Sequence, residues 1–150
     1  MVRVGKEYKR IFAALDGGST MQEVAWRAVH AASSNHAELI LGHVLDSAPD
    51  ALTPSDYRAL CDRVRGRIED QIADALDLAR KDPNIPSVEV QVKSGQIQNV
   101  LMKDFIKPFD PDLVICGERG LSDIKYVFVG SVSTFLIRNL RCDVLVVKQP

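Results

Sequence analysis

The chain has 150 residues, 46% of them hydrophobic and 26% charged, with a formal net charge of −1. That size and composition fit one soluble globular domain with a sizeable apolar core, and exclude a disordered or fibrous chain. A balance so near zero supplies no basic field for nucleic acid or for an anionic membrane. The three cysteines, Cys61, Cys116 and Cys142, form no CxxC pair and no zinc-finger spacing with histidine. An odd, scattered set of thiols suits a reducing compartment, and Met1 to Arg10 carry charges without an apolar signal core. The expected location is therefore cytoplasmic.

In chain order, short apolar runs alternate with helical periods. Arg10 to Leu15 reads as a first strand, ended by the turn residues Asp16-Gly17-Gly18. Thr20-Met21-Gln22-Glu23 has the capping-box pattern of a helix start. Met21, Val24, Ala25, Ala28, Val29 and Ala32 then keep a helical stripe. Leu39 to Leu45 is a second strand, apolar without alternation, as a parallel sheet buried on both faces requires. After a loop from Asp46 to Thr53, a long helix begins at Thr53-Pro54. Its apolar period runs unbroken through Tyr57, Cys61, Val64, Ile68, Ile72, Leu76 and Ala79, and Lys81-Asp82-Pro83 stops it.

Val88 to Val92 alternates, so this third strand is expected near a sheet edge. Ser94-Gly95 turns into a helix over Ile97 to Ile106. Leu113 to Cys116 is the fourth strand, Ser131 to Asn139 a helix, and Val144 to Val147 the last strand. Strands alternating with helices define an α/β domain with a mostly parallel sheet.

Ligands of open α/β sheets bind beyond the carboxyl ends of the strands. Three such ends carry chemistry: Asp16-Gly17-Gly18, Val44 to Asp46, and Gly117-Glu118-Arg119-Gly120. Gly117 and Gly120 are followed, after nine residues, by Gly130-Ser131. Glycines let a backbone approach a bulky anion, and the N–H groups at a helix start favour phosphate. On spacing alone, turn-making glycines with Ser131 as a cap explain the pattern equally well. Neither a GxxxxGK[ST] loop nor a GxGxxG after the first strand is present.

The block from Pro111 through Leu121-Ser122, Gly130-Ser131-Val132-Ser133 and Asp143 to Lys148 resembles the universal stress protein family. It satisfies that family's G-x2-G-x9-G-[ST] motif without a gap, with Asp16-Gly17 and His43-Val44 as supporting matches. The resemblance spans nearly the whole chain. It implies an open, mostly parallel five-stranded sheet with helices on both faces, Rossmann-like and of the adenine nucleotide alpha hydrolase type.

It also implies a site. Ala14, Leu15 and Asp16 would lie near adenine and ribose, and the Val44 backbone would hydrogen-bond adenine. Gly117, Gly120, Gly130, Ser131, Val132 and Ser133 would wrap ribose and phosphates, with Cys116 beside the site and Arg119 placed to screen phosphate charge. The implied ligand is ATP, with Mg2+ on its phosphates; AMP, ADP or cyclic AMP are the alternatives. A homodimer through Val144 to Lys148 is implied as well. The chain departs from the family's common pattern at Gly18, Cys116, Glu118 and Tyr126. No catalytic set is assembled, so slow ATP hydrolysis is the most chemistry expected. His43, inside an apolar strand, reads as a satisfied core histidine rather than a base, and Trp26 as rim packing. A nucleotide-free interaction protein is the competing function.

Overall fold

The computed structural model describes residues 7–46, 52–118 and 131–148, with the backbone only of Ser131. Five strands are formed: β1 (Arg10–Leu15), β2 (Glu38–Leu45), β3 (Val88–Ser94), β4 (Leu113–Gly117) and β5 (Asp143–Val147). They make one sheet in the order β3-β2-β1-β4-β5, and every pairing is parallel. The expected parallel sheet is thus observed, with β3 at one edge and β5 at the other.

Helix α1 (Met21–Asn35), α2 (Pro54–Gln71) and α3 (Ala73–Lys81) bear on one face. That face buries Ile11, Ala13, Leu39, Leu41 and Ile115, the odd-numbered set along β1, β2 and β4. The other face buries Phe12, Val44, Val114 and Cys116 under α4 (Ile97–Val100), α5 (Lys107–Phe109) and α6 (Ser131–Asn139). Burying both faces explains the apolar, unalternated strands β1, β2 and β4. Phe12 and Phe105 meet at 5.1 Å between ring centroids, and Gly42 makes room for them.

The helix starts and stops divide between confirmed and corrected expectations. Thr53 caps α2 by accepting from Asp56 N–H at 3.1 Å, with Pro54 in the first turn. The capping box at Thr20 does not form. Thr20 is buried, already has φ −88° and ψ −4°, and makes no side-chain cap bond. The entry to α1 is instead a turn in which Met21 N–H reaches Gly18 O at 3.2 Å.

The long helix expected from Thr53-Pro54 to Arg80 is broken at Ile72, whose φ of −111° and ψ of 22° leave the helical region. Gln22 Nε2 donates to Gln71 O at 3.1 Å at this break, and Ile72 itself stays buried. The stripe Ile68, Ile72, Leu76 therefore survives the break, which is why periodicity alone hid it. The helix expected over Ile97 to Ile106 likewise changes character: after α4 the chain is π-helical from Leu101 to Ile106. Lys93 Nζ donates to Asp104 O at 2.9 Å within that stretch and stands over the Phe105 ring.

Candidate functional site

In the observed strand order the connections run outward from β1 to β2 and β3 on one side, and to β4 and β5 on the other. The switch point lies between β1 and β4, and ligands of such sheets bind beyond the carboxyl ends of the strands there. In register, Ala14 pairs with Cys116 across this junction, and Leu15 pairs with His43 on the other flank. Ala14, Leu15, Asp16, Val44, Cys116 and Gly117 therefore gather at one end of the sheet. Val132 and Ser133 come to the same end at the first turn of α6. Arg119, Gly120 and Gly130 lie outside the described residues, as does the side chain of Ser131.

The β1 loop is shaped locally. Gly17 has φ 79°, a left-handed value that glycine adopts at little cost. Asp16 Oδ1 accepts from Gly18 N–H at 2.8 Å, which turns the chain back toward α1. A Cβ on Gly18 would stand 3.3 Å from that carboxylate oxygen, so glycine here lets the turn close tightly.

His43 is nine-tenths buried, with 9% of its surface exposed, and its Nδ1 lies 2.7 Å from Leu15 O. A carbonyl only accepts, so Nδ1 carries the proton and the ring ties the end of β2 to the end of β1. This is the satisfied core histidine expected from sequence. Val44, at 8% exposure, sends its side chain into the second core cluster.

On β4, burial first and the Asp16 charge second push the Cys116 thiol up to about 11. The thiol is thus protonated at neutral pH. Ser133, 1% exposed, directs its Oγ to Glu118 O at 3.5 Å. Glu118 N–H donates to Val147 O at 2.8 Å, and its carboxylate lies 3.2 Å from Lys148 Nζ. Sequence reading singled out Glu118 and Lys148 separately but not as a pair. Their common signal is position, since each directly follows or ends a strand at the same end of the sheet.

Among the described residues no group of three or more His, Cys, Asp or Glu side chains is placed to hold a metal by itself. Asp16 fits a shared role, because one oxygen serves Gly18 and a magnesium ion carried on phosphates takes only one or two protein carboxylates. A depression lined by Tyr8, Arg10, Asp110, Asp112 and Asp143 lies at the opposite end of the strands. Its acidic groups are engaged: Arg10 pairs with Asp110, Asp112 accepts from Lys9 and Arg10 N–H, and Tyr8 bonds Asp143.

These features define a class: a doubly wound α/β protein whose strand ends at the switch point face the start of a helix. Residues 7–148 match the sequence profile of the Universal stress protein family, and the chain belongs to that family. A Staphylococcus saprophyticus relative carrying the universal stress protein name is 29% identical over 141 residues, covering 94% of this chain and 84% of that one. A Staphylococcus haemolyticus relative with the same description is 29% identical over 145 residues, covering 94% and 85%. Among solved structures, universal stress protein UspA of Lactobacillus plantarum superposes with a TM-score of 0.75 at 22% identity, covering 95% of this chain and 99% of that one. A universal stress protein solved in complex with cAMP gives 0.66 at 22% identity, covering 95% and 98%.

Proposed function

We propose that the chain binds an adenine nucleotide, ATP with Mg2+, in the crevice between β1 and β4, and acts as a stress-response regulatory module. Ala14, Leu15 and Asp16 take the adenine and ribose side, with the Val44 backbone hydrogen-bonding adenine. Cys116, Gly117, Arg119, Gly120, Gly130, Ser131, Val132 and Ser133 surround ribose and phosphates. Asp16 contacts a ribose hydroxyl or the magnesium ion. The observation that carries this reading is the convergence of the β1 and β4 ends with the first turn of α6 at the switch point. Cyclic AMP is the second ligand, since one neighbour was solved in complex with it. Three free thiols and family membership support a cytoplasmic setting. No helix among the described residues is long and apolar enough to cross a membrane.

The test is isothermal titration of ATP, ADP, AMP and cyclic AMP, with magnesium, into protein stripped of ligand. Saturable binding of one of them is expected, with Asp16→Ala weakening it by about ten-fold, the loss of one charged hydrogen bond or metal contact. Binding of none at millimolar concentration would leave the chain a nucleotide-independent interaction protein.

A further inference from the structure

Two carboxylates leave neighbouring strand ends at the crevice. Ala14 pairs with Cys116, so Asp16 and Glu118 each stand two residues beyond a paired position on β1 and β4. The backbone of Glu118 is held on both sides. Its N–H bonds Val147 O at 2.8 Å, which fixes it to β5, and its carbonyl faces Ser133 Oγ of α6 at 3.5 Å. Its side chain is 25% exposed, whereas Lys148, 3.2 Å away, is 74% exposed. A ligand phosphate entering from solvent therefore meets a partly buried carboxylate whose field is offset by a cation on a flexible stem. As a stability device such an exposed pair is weak, worth little and screened by salt. Its position at the ends of β4 and β5, beside the first turn of α6, gives it a different use.

We propose that the Glu118–Lys148 ion pair sets how the crevice discriminates among nucleotides by their number of phosphates, with Lys148 cancelling a penalty that Glu118 would otherwise impose on polyphosphates. This rests on the nucleotide reading above. The Coulomb energy between a fixed charge and a ligand grows with each phosphate, so the effect is graded. Adenosine carries none of it, AMP some and ATP most.

The experiment titrates adenosine, AMP, ADP and ATP, with magnesium chelated so that ligand charge rises with each phosphate, into the wild type, Glu118→Gln, Lys148→Met and the double variant. The readout is the slope of log Kd against ligand charge. In Glu118→Gln, ATP is expected to gain about five-fold relative to adenosine; in Lys148→Met it is expected to lose about five-fold, and both shifts shrink at high salt. Adenosine affinity and thermal stability stay near wild type in both, and the double variant returns to the wild-type slope. Equal slopes in all four proteins, with adenosine still bound, overturn the charge filter and leave the nucleotide reading intact. Loss of adenosine binding in Glu118→Gln would make Glu118 a shaping residue and overturn the proposal. Absence of binding by any of the four ligands to the wild type would sink both.

Discussion

Single residues at the β1–β4 junction carry consequences that their neighbours impose. Cys116 titrates near 11, raised from 9.0, because the fold removes water from the thiol and places Asp16 beside it. A group that holds its proton more tightly when folded favours the folded state less as pH rises. The stability it contributes is complete below about pH 9, the unfolded value, and declines toward pH 11, by up to about 3 kcal/mol at 1.36 kcal/mol per unit. Urea denaturation of the wild type and Cys116→Ala from pH 8 to 11 should show the steeper decline in the wild type. Parallel curves would mean that the thiol is not buried as described. Gly42 is constrained from the other side. A Cβ there would meet Phe12 at 2.6 Å and Phe105 at 3.0 Å, and both rings are fully buried. Gly42→Ala is therefore expected to cost about 1–3 kcal/mol by overpacking, read as a lower denaturant midpoint at unchanged slope. A midpoint equal to the wild type's would show that the ring pair moves aside freely.

At the scale of elements, the open edge of β3 is held by a side chain. Ser87 O accepts from Leu39 N–H, so alternation turns the backbone groups of Val88, Val90, Val92 and Ser94 away from β2. Tyr57 Oη from α2 serves both groups of Ser94, donating to its carbonyl at 3.1 Å and accepting its N–H at 3.0 Å. The phenol thereby stands where another strand would have been and pins α2 to the sheet. Tyr57→Phe should cost about 1–3 kcal/mol, because both Ser94 groups lose a partner, and should speed exchange of the Ser94 amide. Unchanged exchange would show that the edge is held by something else. This contact illustrates what sequence does and does not carry. Strand positions and their parallel pairing were legible because burial on both faces forces long apolar runs. Tyr57 was read only as one more residue on a helical stripe, since a hydroxyl's partner across the fold leaves no periodic trace. The break at Ile72 and the π-helical turn after Val100 were hidden for a related reason: each shifts the phase of a helix while keeping its apolar residues inward.

For the molecule as a whole, the same limit applies to the crevice. Its strand-end residues were legible, because Asp16-Gly17-Gly18 and Gly117 punctuate apolar runs at positions where an α/β sheet opens. The Glu118–Lys148 pair was not, because the two residues are brought together only by the parallel register of β4 with β5. That register also determines what the molecule offers to a second copy. Val147 O turns inward to Glu118 N–H, so the backbone groups of Val144 and Val146 face outward along the open edge. Leu145 beside them is 42% exposed. An apolar edge strand with unpaired ladder groups associates unless something blunts it, and β5 has no proline or bulge within Asp143–Val147. A homodimer through Val144 to Lys148 is the closed arrangement expected of such an edge, since a two-fold axis lets each copy cover the other. Leu145→Arg places a cation in the middle of that contact. It is expected to weaken dimerisation by at least about ten-fold while leaving folding intact, because the side chain already reaches water. Sedimentation equilibrium would measure it, with Leu78→Arg as the control: Leu78 is 47% exposed but lies on α3, away from the edge. A wild type that is monomeric at micromolar concentration, or a Leu145→Arg protein that stays dimeric, would move the contact off β5. It would also free Lys148 from any part in assembly, leaving the end of β5 to the crevice alone.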